Sequence, residues 1–154
     1  MKGITNSFFK KLYFVDDSVD PSHIISLVKP LVSDDMNDEL CKPFSEQEIS
    51  DALFQMGPLK ALGPDGFPAE FYKKCWHIIK GDLLSMFHNF FSRQLQLFQL
   101  NFGTITLLPK KTEAVRIEQF RPICLLNVSF KIFTKVQTNR LTQIAHSVVQ
   151  PSQT

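Results

Sequence analysis

Residues 13–20 read YFVDDSVD, setting Asp16 and Asp17 side by side behind an aromatic residue and one spacer. Paired carboxylates hold Mg²⁺ in phosphoryl-transfer sites. That chemistry needs two ions about 3.5–4 Å apart and carboxylates brought in from separated strands. Around Asp16-Asp17 there is no pattern of two alternating strands joined by a tight turn. The pair therefore reads as an acidic loop between two short amphipathic stretches, SFFKKLYF and SHIISLVKPLV. Further along the chain the acids run out, with no Asp after Asp82 and no Glu after Glu118. No catalytic or metal-binding set is legible.

Other metal chemistry is equally thin. Cys41, Cys75 and Cys124 are odd in number and far apart, no CxxC pair exists, and the four histidines do not cluster. Neither a disulfide framework nor a zinc site follows, and a reducing compartment, cytosol or nucleus, is implied. No apolar run approaches the length of a membrane span, and Met1-Lys2-Gly3 leads into polar residues rather than a signal core. The net charge of +2 hides an asymmetry. Residues 1–59 hold 5 Lys/Arg against 10 Asp/Glu, whereas residues 60–154 hold 12 against 5. A basic half suits a phosphate-bearing partner. A solvated surface balanced by its acidic neighbour is the alternative.

A chain of 154 residues can bury about 68–70% of its unfolded surface as one domain, and 15 phenylalanines supply large contacts for it. There is no internal repeat and no low-complexity tract. Pro30 divides the second amphipathic stretch. Ser45 and Glu48 have capping-box spacing, and Ile49, Ala52, Leu53 and Met56 follow at helical intervals until Gly57-Pro58. In LKALGPDGF (59–67), two glycines and a proline around Asp65 forbid regular structure. A second helix is expected from near Pro68 through Phe71, Cys75 and Ile78-Ile79 to a break at Gly81-Asp82. A third then sets Leu84, Phe87, Phe91 and Leu95 on one side. TITLLPK (104–110) reads as a strand, followed by a charged loop from Lys110 to Glu118. RPICLLN (121–127) is strand-like or irregular. Asn127 is placed to cap a last helix, with Val128, Ile132, Val136 and Asn139/Arg140 on successive turns before Pro151. The order is that of a mostly helical α+β chain.

Three stretches carry a resemblance: KALGPDGFPAEFYKKCW (60–76), ITLLPKK (105–111) and FRPICLLNVSFKIFTKVQTNRL (120–141). In this order and spacing they resemble the opening blocks of the reverse transcriptase of LINE-type, non-LTR retrotransposons, closest to plant copies. MNDELCKPFSEQEISDALFQM (36–56) resembles the helix that leads into those blocks, and VVQPSQT (148–154) the start of the next one. The resemblance implies lead-in helices and acidic loops over 1–44 and a partial reverse-transcriptase domain over 45–154. That domain is the fingers-type portion of a right-hand polymerase with a small sheet, lacking the palm and the upstream endonuclease. It implies, with capping and periodicity, that helices near 45–56 and 128–146 flank a sheet containing 104–109. Two departures stand out: Leu62 replaces a proline in the family's turn, and QLQLFQLNFG (94–103) replaces a polar lead into the strand.

The resemblance also assigns roles. The turn with Gly63, Asp65 and Gly66 lies near the RNA template, where glycines let backbone N–H groups approach a polyanion. Lys110 or Lys111 and Arg121 match basic residues that reach the triphosphate of the incoming nucleotide, a task that suits the planar fork of arginine. Lys131, Lys135 and Arg140 recur at helical spacing and are candidates for a template groove. For these three a solvated helix face is the competing reading. Asp65 has a competing role as a helix cap, the lysines as a strand end, and Arg121 as an ion-pair partner. The implied partner is an RNA template or RNA–DNA hybrid. Mg²⁺ is implied for the full-length parent, with no cofactor in this segment. The leading expectation is a truncated polymerase segment, inactive alone. A non-catalytic RNA-binding module and a poorly folding remnant are the alternatives.

Overall fold

The computed structural model describes residues 2–14, 20–27, 29–58 and 60–149, so Asp16-Asp17 and the PSQT end lie outside the described residues. The chain divides into two compact units. Met1–Leu31 and Pro109–Arg121 form the first, and Val32–Leu108 with Pro122–Thr154 the second.

In the first unit, helix α1 (Lys2–Leu12) buries Phe9, whose ring lies edge-on to Phe8 and stacks on Tyr13. The short helix α2 (Ser22–Ser26) begins where Asp20 accepts hydrogen bonds from the Ser22 N–H and hydroxyl, and it ends before Pro30. Residues 109–121 make a hairpin tip closed by a 3₁₀ turn at Ile117–Gln119.

The second unit holds the main core. Helix α3 (Asp34–Leu40) starts at Ser33, whose hydroxyl accepts from the Met36 N–H. Helix α4 (Glu46–Gln55) carries the expected capping box and buries Ile49, Ala52 and Leu53. Lys73 Nζ closes its other end, donating to the carbonyls of Phe54 and Met56 at 3.0 and 2.6 Å. Helix α5 (Ala69–Lys74) and helix α6 (Trp76–Phe91) meet at Cys75. The expected break at Gly81-Asp82 is therefore misplaced. Trp76, Ile79, Leu83 and Phe87 keep helical spacing across Gly81 and pack into the core, and that burial outweighs the cost of one helical glycine, about 1 kcal/mol. Helix α7 (Leu97–Leu100) occupies the segment where the resemblance falters.

Strands β1 (Gly103–Pro109) and β2 (Phe120–Leu126) pair as a two-stranded antiparallel sheet, with 104–109 extended as the alternation requires. Helix α8 (Val128–Val148) buries Val128, Ile132, Phe133, Val136 and Arg140. The fold is α+β and mostly helical.

One architectural expectation fails. Helices α4 and α8 do not flank the sheet. They pack directly on each other, and the buried core of Ile49, Ala52, Leu53, Ala69, Leu83, Phe87, Val128, Ile132, Phe133 and Val136 contains no strand residue. The physical reason is width. Both helices present apolar stripes, whereas each strand is exposed along much of its length and has little to bury.

Candidate nucleic-acid interface

In the second unit the turn at 63–66 is seated on the start of α8. A Cβ at Gly63 would lie 2.6 Å from the Cα of Asn127, so only glycine permits this approach. Gly66 has φ +74°, the left-handed conformation that closes the turn, and its N–H donates to the Gly63 carbonyl at 3.1 Å. The Asp65 N–H donates to Asn127 Oδ1 at 3.2 Å. Asn127 therefore precedes α8 without capping it through its side chain, contrary to expectation, because that oxygen holds the turn instead. Asp65 in turn accepts from the Phe67 N–H at 3.1 Å.

Lys131 joins the same assembly, donating from Nζ to the Ala61 carbonyl at 2.7 Å. Tyr72 is half-buried beneath it and shares a hydrogen bond with Ser129 in the first turn of α8. Burial first, and then the Asp65 charge, push the Tyr72 phenol above its ordinary value. The structure thus brings Gly63, Asp65, Gly66 and Lys131 together. Asn127, Tyr72 and Ser129 complete the set, and sequence reasoning missed the last two. Their signal was weak: a lone tyrosine and serine on helices 57 residues apart in sequence.

Arg140 leaves the group. It is 8% exposed and forms a buried clasp rather than part of a template groove. Its Nε donates to Glu48 Oε1 at 2.6 Å and its Nη2 to Glu48 Oε2 at 3.0 Å. The remaining donors reach the carbonyls of Leu40, Lys42 and Pro43, and the guanidinium lies 4.2 Å from the centre of the Phe44 ring. The hydrogen bonds from Arg140, the largest cause, hold the Glu48 carboxyl down at about 2. Lys135 is half-buried, one turn from Lys131 on α8.

The other basic candidates belong to the first unit. Lys110 N–H donates to the Gln119 carbonyl at 2.8 Å, and its Nζ to the Glu118 carbonyl at 2.8 Å, which ties the hairpin tip together. Lys111 and Arg121 are exposed, and among the described residues neither forms an ion pair. Arg116 does pair, with Glu118 at 3.5 Å. Among the described residues no three of His, Cys, Asp and Glu lie close enough to hold a metal ion. No helix among them is long and apolar enough to cross a membrane.

Over 149 residues, 96% of this chain, the sequence is 30% identical to a Xenopus laevis protein described as "Transposon TX1 uncharacterized 149 kDa protein". Over 131 residues, 84% of the chain, it is 23% identical to the "Retrovirus-related Pol polyprotein from type-1 retrotransposable element R1" of Bradysia coprophila. The chain is a relative of retrotransposon-encoded proteins. It spans 11% and 12% of the lengths of those two relatives. No protein-family model matches it. At 96% coverage the alignment with the Xenopus relative takes in the turn at 63–66 and the start of α8.

Proposed function

We propose that this chain is a fingers-type segment of a retrotransposon reverse transcriptase that binds RNA or an RNA–DNA hybrid at the sugar-phosphate backbone and does not polymerise by itself. The observation that carries this reading is the likeness, along 84% of the chain, to a Pol polyprotein of a retrotransposable element. The chemistry of the residues supports it. Neither β1 nor β2 contains a carboxylate, and α8 contains none across its 21 residues. Among the described residues none are grouped to fit Mg²⁺, and in this reading the metal chemistry of such a polymerase is supplied by other parts of it. What supports the reading is cationic side chains able to meet phosphate in each unit separately, Lys111 and Arg121 in the first and Lys131 and Lys135 in the second.

A fluorescence titration of an RNA–DNA hybrid at several salt concentrations tests this. Binding is expected at roughly 10⁻⁴ to 10⁻⁶ M, with log K falling as log salt rises by about 0.7–0.9 per phosphate contact. Arg121→Ala should flatten that slope by about one unit. Identical slopes would make Arg121 structural, and no binding at low salt would remove the reading. In a parallel assay, extension of oligo(dT) on poly(rA) with Mg²⁺ or Mn²⁺ should be absent. Reproducible extension would overturn the non-catalytic part.

A further inference from the structure

Phe67 and Phe71 form an aromatic pair on the surface of the second unit, and nothing in the proposed phosphate contacts uses them. Their ring centres are 4.6 Å apart and their planes 29° from parallel. Phe67 is 45% exposed and Phe71 38%, although each carries a full phenyl ring that an ordinary core would cover. The pair is held from three sides. The Asp65 carboxylate fixes the Phe67 backbone. The Phe71 N–H donates to the Pro68 carbonyl at 3.1 Å. Beneath, the Tyr72 ring meets Phe71 edge-on at 5.7 Å and is itself anchored to Ser129. Two rings stacked on each other and partly exposed beside the glycine turn leave apolar surface that packing within the chain does not use.

We propose that Phe67 and Phe71 are a stacking platform for an unpaired nucleobase of single-stranded RNA or DNA. This rests on the nucleic-acid reading above and adds to it a base-binding mode and the residues that provide it. Charge selects this occupant over an apolar one. Residues 60–75 hold Lys60, Lys73 and Lys74 against Asp65 and Glu70, one positive charge in excess, with Lys74 paired to Glu70 at 2.8 Å and Lys73 Nζ held by the Phe54 and Met56 carbonyls. Lys131 stands over the same turn, and the adjoining α8 carries no acid. A phosphate drawn to these cations leaves its base free to lie on a ring face, because every base has one regardless of sequence.

The experiment measures binding of the full chain to a single-stranded oligoribonucleotide carrying 2-aminopurine, and to the same strand with abasic sites. Stacking should quench the 2-aminopurine, and abasic sites should weaken wild-type binding roughly 5- to 100-fold. Phe67→Leu/Phe71→Leu should lose affinity by a similar factor with the salt slope unchanged. Phe98→Leu, at another exposed ring, should change nothing. If the double variant fails to fold, the abasic comparison on wild-type protein still decides. Salt-dependent binding that ignores both the abasic sites and the double variant would overturn the platform and leave the phosphate reading standing. Absence of any salt-dependent binding would overturn both.

Discussion

Arg140 stands four residues after Val136 on the stripe that buries Val128 and Ile132, and Glu48 lies one position before buried Ile49. At such positions a charge is taken out of water, and it is tolerated only with a partner and filled hydrogen bonds. Arg140→Met should destabilise the chain by about 3 kcal/mol, the low end for breaking a buried pair because Glu48 keeps some contact with solvent. Chemical denaturation of the variant checks this. The pH dependence has a definite sign. The Glu48 carboxyl is lowered from 4.5 to about 2, so its contribution is fully present above 4.5 and is lost as pH falls through 2. Melting temperature should drop over that window in the wild type and change less in Glu48→Gln. The role of Arg140 was half legible: its spacing placed it on the core stripe, but charge alone suggested a template. Nothing in the sequence shows that three carbonyls from 40–43 turn toward it.

Among the elements, α4 was readable because cap, stripe and stop all agree within 14 residues, Ser45 to Pro58. The α5–α6 junction was not, because local propensity points to Gly81 and tertiary packing to Cys75. Two glycine substitutions separate local from tertiary control. Gly81 has open space for 4 Å around the place a Cβ would take, so Gly81→Ala should stabilise the chain by about 0.5–1 kcal/mol. Gly63 is pressed against the Asn127 backbone, so Gly63→Ala must push the turn off α8 and should destabilise by at least about 2 kcal/mol. Thermal melts of the two variants should shift in opposite directions. Equal shifts would mean that the turn is not seated on α8.

At the scale of the whole chain, the ten buried core residues belong to the second unit, carried by α4, α5, α6 and α8. Amide hydrogen exchange should accordingly be slowest in α4, α6 and α8, and fast in α2 and α3, which bury no residue. Phe87→Ala removes the largest fully buried side chain and should cost about 3–5 kcal/mol. Uniform fast exchange would instead favour a remnant that folds poorly. By itself the sequence determined the helices with matching caps and stripes, the strand at 104–109, the basic second half and the glycine turn, because each depends on neighbours a few residues away. Only the tertiary structure decided that α4 packs on α8 rather than across a sheet, that Arg140 is a clasp, and that Asn127 holds the turn instead of capping a helix. Those outcomes depend on which groups, 62 to 100 residues apart, reach the same donors and acceptors once water is excluded.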